Sequence, residues 1–171
     1  MPTIRPEEPG DERPIHGVHA AAFPTTLEAR LVDALRAAGR LRVSLVAIEQ
    51  GKIIGHVAFS PVTVAGSDNG LGLAPVAVLP ADQRRGVGAE LIRAGLAACE
   101  RAGCRFVVLI GEPAYYARFG FAPASRWGLQ DEYGAGDAFQ ALELRAGSIP
   151  SGAGLVRYAP EFAAAGADAA P

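Results

Sequence analysis

The chain has no uninterrupted apolar run approaching the ~20 residues that span a bilayer, and its start, Met1-Pro-Thr-Ile-Arg-Pro-Glu-Glu8, lacks the apolar core of a secretory signal. No membrane association is expected, and a cytoplasmic enzyme is the simplest reading. Cysteine is scarce. Only Cys99 and Cys104 occur, too few for a disulfide framework, and they read as small, partly buried residues of a reducing compartment. His16, His19 and His56 form no recognised metal motif with them, so no metal is expected. Excess positive charge is also missing: a formal net charge of −2 provides no global field for nucleic acid, and none is expected as a partner. Two common nucleotide loops are absent as well. A dinucleotide fingerprint needs a third glycine where Leu91 stands, and the Gly-Lys-Ser/Thr of a P-loop occurs nowhere.

What is present is core material for one domain, since 171 residues with 50% hydrophobic content are ample for a single packed unit and rather short for two. The stretch Gln83-Arg84-Arg85-Gly86-Val87-Gly88-Ala89 joins an apolar strand, Leu71 to Leu79, to a helix with an apolar face. Val87, Leu91, Ile92, Gly95, Leu96 and Cys99 recur at helical spacing, and Gly103 supplies a left-handed stop. The first N–H groups of such a helix have no intrahelical partner, and its dipole favours negative charge there. Gly86 and Gly88 lack a β-carbon, so a phosphate can approach the backbone, and Arg84 and Arg85 either add positive charge or are simply solvated. From the residues alone, a plain tight turn explains the same pattern.

Along the rest of the chain, Thr3-Ile-Arg-Pro6 reads as a short edge strand and residues 11–22 and 25–38 as two helices. Val43–Glu49 and Lys52–Ser60 flank Gln50-Gly51, a two-residue hairpin signal. Ser67-Asp-Asn-Gly70 suggests a turn that sets residues 71–79 antiparallel to the preceding strand. A crossover helix over 86–102 and a strand near 106–110 then complete a parallel βαβ unit. Pro75 inside a strand marks either an ordinary bulge or a place where the sheet opens. Residues 148–154 read as loop, 155–158 as a possible strand, and 163–171 as a tail that frays.

Gln83-x-x-Gly86-x-Gly88 matches the Gln/Arg-x-x-Gly-x-Gly/Ala signature of the Gcn5-related N-acetyltransferases, and Val107 to Phe121, containing Glu112-Pro-Ala-Tyr-Tyr116, resembles the segment that closes their cofactor site. The second segment is particularly close to the YhbS-like branch, and the resemblance covers roughly residues 3–145. It implies an α/β (α+β) fold with a mixed, centrally splayed β-sheet flanked by helices, as a domain over 1–147. Residues 148–171 are then a partly flexible extension and not a separate domain. The resemblance further implies acetyl-CoA as the acyl donor, held by backbone groups of Val76, Ala77 and Val78 and by the turn residues Gln83, Arg84, Arg85, Gly86, Val87, Gly88 and Ala89. Many such domains self-associate, so a homodimer is compatible with it, although the sequence names no interface.

The same resemblance puts the general acid on Tyr116, four residues before Gly120. A tyrosine of ordinary pKa near 10 donates to a departing thiolate of about 8.5, and full transfer is uphill by roughly 2 kcal/mol. Read from the residues, Tyr116 is otherwise a packed aromatic, and Tyr115 is packing or cleft wall. No base stands out. Glu112 faces the reacting end or caps a helix begun by Pro113, and His56 is a base or a satisfied histidine. Phe23, Pro24, Trp127 and Tyr133 are candidate walls of the acceptor pocket. The expected activity is N-acetylation of a primary amine on a small molecule or protein by direct attack on the thioester. The alternative is a catalytically silent acyl-CoA-binding sensor or partner module, and a flavin or nicotinamide oxidoreductase is disfavoured by the missing third glycine.

Overall fold

Strict alternation of apolar and polar residues does not describe the strands at the centre of this molecule, because both of their faces are covered. The strands β2 (Val43–Glu49) and β3 (Lys52–Val64) are buried at nearly every position of their middles. The computed structural model describes residues 1–65, 67–149, 152 and 154–169, with the backbone alone at 67–69 and 166–169. Strand β1 (Thr3–Pro6) lies at the sheet edge against β2, and the helices α1 (Glu12–Ala22) and α2 (Leu27–Ala37) follow it. Gln50 and Gly51 both take positive φ, 50° and 74°, which gives the β2–β3 hairpin its two-residue turn.

The middle of the chain is a βαβ unit. Strand β4 (Ser67–Val78) runs antiparallel to β3, helix α3 (Val87–Arg101) crosses over, and β5 (Phe106–Ile110) returns parallel to β4. A short helix α4 (Pro113–Tyr116), the strands β6 (Ala122–Pro123), β7 (Leu129–Asp131), β8 (Phe139–Glu143) and β9 (Gly154–Arg157), and helix α5 (Pro160–Ala169) complete the described chain. Among the described residues the sheet order is β1-β2-β3-β4-β5-β8-β6, with β9 paired to both β3 and β7.

Neighbouring residues of a strand point to opposite faces, and this divides the core. Leu45, Val57 and Phe59 join Val87, Leu91 and Ile92 of α3 on one face, whereas Val46 packs with Ile15 of α1 and Val32 of α2 on the other. The sheet opens between its layers. Strand β4 pairs with β5 only at Gly70, Leu71 and Gly72, opposite Phe106, Val107 and Val108. From Leu73 to Val78 it keeps β3 on one side and, among the described residues, has no strand on the other, while Leu109 and Ile110 pair with β8 alone.

Two features differ from the sequence reading, while the strand expected over 155–158 is present as β9. Strand β3 runs to Val64 and β4 begins at Ser67, so the Asp-Asn-Gly chemistry of 67–70 lies within a strand and the reversal is at Ala65, φ 50°. The ladder prevails because Val62 and Val64 have a core of their own to fill, with Phe106 and Val156. At the C-terminus, β9 pairs with Thr63 and Val64 of β3, and a helix runs as far as Ala169 where a fraying tail is expected from Ala163. Residues 150, 151 and 153 of the expected loop, and 170 and 171 of the expected tail, lie outside the described residues.

Two glycines in helices report how tightly each face is packed. A β-carbon on Gly95 would stand 2.3 Å from the Phe59 ring, while one on Gly17 of α1 would meet nothing within 4 Å. Gly95→Ala is expected to destabilise by roughly 1–3 kcal/mol through overpacking. Gly17→Ala is expected to stabilise by up to about 1 kcal/mol through helix propensity. Urea denaturation of the two variants checks the sign of each.

Candidate active site

Helix α3 begins without a side-chain cap. Gly86 occupies the cap position at φ 85°, no side chain accepts a bond there, and the first intrahelical bond to reach back runs from Glu90 N–H to the Gly86 carbonyl at 3.0 Å. The N–H groups of Val87, Gly88 and Ala89 therefore have no partner within the helix. Arg84 also takes a left-handed conformation, φ 62°, which is uncommon for a residue with a side chain. Two left-handed residues within three positions fold the chain tightly onto the helix end.

The turn opens onto the gap in the sheet through two adjoining lobes. The outer lobe, about 390 Å³, is lined by Val78, Asp82, Gln83, Arg84, Gly86, Val87, Gly88, Ala89, Tyr115 and Arg118. The inner lobe, about 210 Å³, is lined by Ala22, Phe23, Val76, Ala77, Val78, Gln83, Gly88, Ile92 and Tyr115. Nine of the residues assigned to the donor thus meet here: Val76, Ala77, Val78, Gln83, Arg84, Gly86, Val87, Gly88 and Ala89. Arg85 does not. Its guanidinium holds both oxygens of Glu49 at 3.0 and 2.9 Å and Asp82 at 2.7 Å, bracing the turn against the end of β2. Gln83 turns its amide inward and donates to the Val78 carbonyl at 3.0 Å, satisfying one group of the open edge.

Tyr115 and Tyr116 divide the space between them. The Tyr115 hydroxyl lies 3.8 Å from where a β-carbon of Gly88 would stand, and Arg118 stacks over its ring at 4.4 Å. Tyr116 lines neither lobe. Its ring lies against Gly111 at the end of β5 and meets Tyr115 and Phe121 edge-on. Burial, with a smaller contribution from Tyr115, pushes its hydroxyl above the ordinary range. Arg118 sits two residues past the tyrosine pair with no pattern to flag it, and sequence reasoning missed it.

Of the acceptor-wall candidates, Phe23 lines the inner lobe and Pro24, Trp127 and Tyr133 line neither. Trp127 packs on the cluster around Phe139, and Tyr133 is exposed and meets Tyr158. Glu112 caps α4, accepting the Ala114 N–H at 3.4 Å with Pro113 at the first position. Cys99 is buried and Cys104 donates to the Phe106 carbonyl. Among the described residues no three His, Cys, Asp or Glu side chains cluster as a metal site.

The largest departure from expectation is beneath the inner lobe. His19 and His56 are both fully buried and hydrogen-bonded, Nε2 to Nδ1, at 2.8 Å. His56 Nε2 contacts Ser44 Oγ at 2.8 Å, and Ser44 donates to Glu7 at 3.0 Å. Arg36 grips Glu7 through two bonds of 2.8 Å and reaches Asp33, which pairs with His16 at 2.7 Å. Desolvation lowers His19 to about 4 and holds His56 well below its ordinary value. Because the unfolded chain binds these protons near pH 6.5 and the folded chain does not, stability is fully present above that pH and is lost on acidification through about 4. His19 alone is expected to account for roughly 3 kcal/mol of that loss. Melting temperatures measured from pH 7 to 4 check it, and the fall is expected to be shallower in His19→Gln.

An acetyltransferase (GNAT) domain family matches residues 3–124 of the chain. The uncharacterized N-acetyltransferase YhbS of Escherichia coli K12 is 38% identical over 162 residues, covering 93% of this chain and 97% of that protein. The crystal structure of E. coli YhbS in complex with CoA superposes with a TM-score of 0.89 at 36% identity, over 95% of this chain and 92% of the other. A GNAT family acetyltransferase of Brucella melitensis, crystallised with acetyl-CoA, gives 0.79 at 40% identity, over 95% and 98%. Sequence and fold agree along nearly the whole length, and this chain belongs to the GNAT acetyltransferase family.

Proposed function

We propose that the protein transfers an acetyl group from acetyl-CoA to a primary amine of a small molecule or protein, by direct attack of the amine on the thioester. The observation that carries this reading is the uncapped N-terminus of α3 at the mouth of the split between β4 and β5. Free N–H groups at a helix start favour a phosphate, and the residues present suit one. Gly88 leaves room above the helix end, Arg84 and Arg118 flank it, and the Val76–Val78 edge has no strand on that side. The CoA and acetyl-CoA complexes of the two structural relatives support the same donor.

Register along the sheet supports different roles for the two tyrosines. Continuing the parallel ladder three residues past the Gly72–Val108 pair sets Gly111 level with Pro75, close to where the gap begins. Tyr116 lies against Gly111, at the inner end of the gap, whereas the Tyr115 hydroxyl faces Gly88 at the mouth. This supports assigning Tyr116 to the thioester end and Tyr115 to the diphosphate end. With its hydroxyl pushed above the usual range, Tyr116 stays protonated at neutral pH, and full transfer to a thiolate near 8.5 is more than 1.5 units uphill. Hydrogen-bond donation to the sulfur as charge develops is the role left to it.

A hundredfold excess of acetyl-CoA over its dissociation constant is expected to add about 2.7 kcal/mol of stability, a rise of very roughly 5–10 °C in the melt, with no rise from nicotinamide or flavin. Gly88→Glu is expected to weaken acetyl-CoA binding at least tenfold while melting normally without ligand; unchanged affinity would remove α3 from the site. Tyr116→Phe is expected to lower kcat by about tenfold or more with little change in acetyl-CoA affinity. Tyr115→Phe is expected to weaken that affinity instead. Steady-state thiol release across a panel of amines separates the two, and no release with any amine would sink the transferase reading.

A further inference from the structure

The polarity of the buried line from Glu7 to His19 follows from the end that cannot donate. The Glu7 carboxylate, gripped by Arg36, only accepts, so Ser44 gives it the Oγ–H at 3.0 Å. Ser44 Oγ then accepts from His56, 2.8 Å away, which puts the His56 proton on Nε2. His56 Nδ1 is left as that ring's lone pair, and the 2.8 Å contact with His19 makes His19 donate from Nε2. The remaining nitrogen, His19 Nδ1, is a bare basic lone pair on a fully buried ring, and among the described residues no group is bonded to it. Buried polar atoms are nearly always paired, so one left bare next to a cavity calls for a reason.

The ring that carries the bare nitrogen lies behind the residues that wall the inner lobe. The His19 ring lies parallel to that of Phe23, at 6.1 Å and 3°, and Phe23 and Ala22 line the lobe. His56 stands opposite Ala77 in the β3–β4 ladder, and Ala77 lines the same lobe. The charged groups around the two rings come from the two helices and the segment before them: His16 and Asp11 at α1, Asp33 and Arg36 on α2, and Glu7 before α1. Asp11 is bound by Arg5 at 2.6 Å, and Asp33 is shared by His16 and Arg36, which leaves Glu7 as the carboxylate joined to the line.

Resting on the reading of the site as an amine acetyltransferase, we propose that this line is the exit for the acceptor's proton. His19 Nδ1 takes a proton from the acceptor ammonium through a bridging water. His19 passes its Nε2 proton to His56 Nδ1, His56 passes its own Nε2 proton to Ser44 Oγ, and Ser44 passes its hydroxyl proton to Glu7. One N–H bond of the ammonium is broken and one O–H bond is formed on Glu7, the amine keeps the electron pair it needs for attack, and nothing is oxidised or reduced. Glu7 is partly open to solvent and hands the proton on. The line is a conduit and not a store, since both rings hold protons weakly.

The first test needs no acceptor: long-range ¹H–¹⁵N spectra of the imidazoles in the wild-type chain at pH 7. Both rings are expected to be neutral with the proton on Nε2. A proton on His19 Nδ1, or a cationic ring, overturns the proposal. The second uses His19→Gln, whose amide still donates toward His56 but has no basic nitrogen. With an amine that the wild type acetylates, kcat is expected to fall at least tenfold at pH 7 while KM for acetyl-CoA stays within twofold. The deficit is expected to shrink below threefold above the acceptor's own pKa, where the amine arrives neutral. A deficit independent of pH, or none, in the folded variant overturns the relay. The wrong tautomer with acetyl-CoA binding intact removes the relay alone, whereas absence of acetyl-CoA binding removes the function it rests on as well.

Discussion

Backbone N–H and C=O groups buried in a sheet must be paired, and in this protein one central strand loses its partner after three residues. Past Gly72, β4 continues to Val78 along β3 only. The gap this leaves is not filled by core side chains. The Gln83 amide satisfies the Val78 carbonyl, and the remaining edge looks onto the two lobes. The crossover helix of the βαβ unit starts at the mouth of the same gap, so unpaired strand groups and unpaired helix groups face one space. The second half of the motif closes it from the β5 side, where the absence of a side chain at Gly111 lets the Tyr116 ring lie on the backbone. Donor binding follows from a sheet that is deliberately incomplete and a helix that is deliberately uncapped.

The opposite face obeys the complementary rule, that polar groups taken out of water need partners. Six side chains from five parts of the chain meet that need together: Glu7, the helix residues His19, Asp33 and Arg36, and the strand residues Ser44 and His56. The arrangement ties α1 and α2 to the sheet, and it carries hydrogen-bonding capacity from the surface to beneath the inner lobe. Its single open end is His19 Nδ1. Burial keeps both imidazoles neutral at pH 7, so the line holds one net charge pair, Glu7 with Arg36, at its outer end.

Much of this was legible in the sequence where local chemistry settles the outcome. Gln50-Gly51 reverses the chain because both residues tolerate positive φ, and the apolar spacing from Val87 to Cys99 makes α3 whatever it packs against. The order of strand, glycine turn, helix and strand dictates a parallel crossover, and Pro75 marks the strand that opens. Local signals failed where distant partners compete. Ser67-Asp-Asn-Gly70 has turn chemistry but lies in a strand because β3 is beside it and Gly70 also pairs with Phe106 of β5. Arg85 reads as a phosphate ligand, yet Glu49, 36 residues earlier, is within reach and takes it.

By itself the sequence determined most of the elements, the family to which their motifs point, and the glycine turn that starts α3, because helix periodicity, hairpin chemistry and an uncapped helix start are properties of neighbouring residues. Tertiary structure alone decided which arginine remains at the cavity, which tyrosine lines its lobes, and that His19, Ser44, His56 and Glu7 form one line. Those outcomes depend on contacts between residues far apart in the chain. Burial on a closed face turns three unremarkable polar positions on α1, β2 and β3 into a connected network, and no spacing within a single element encodes that.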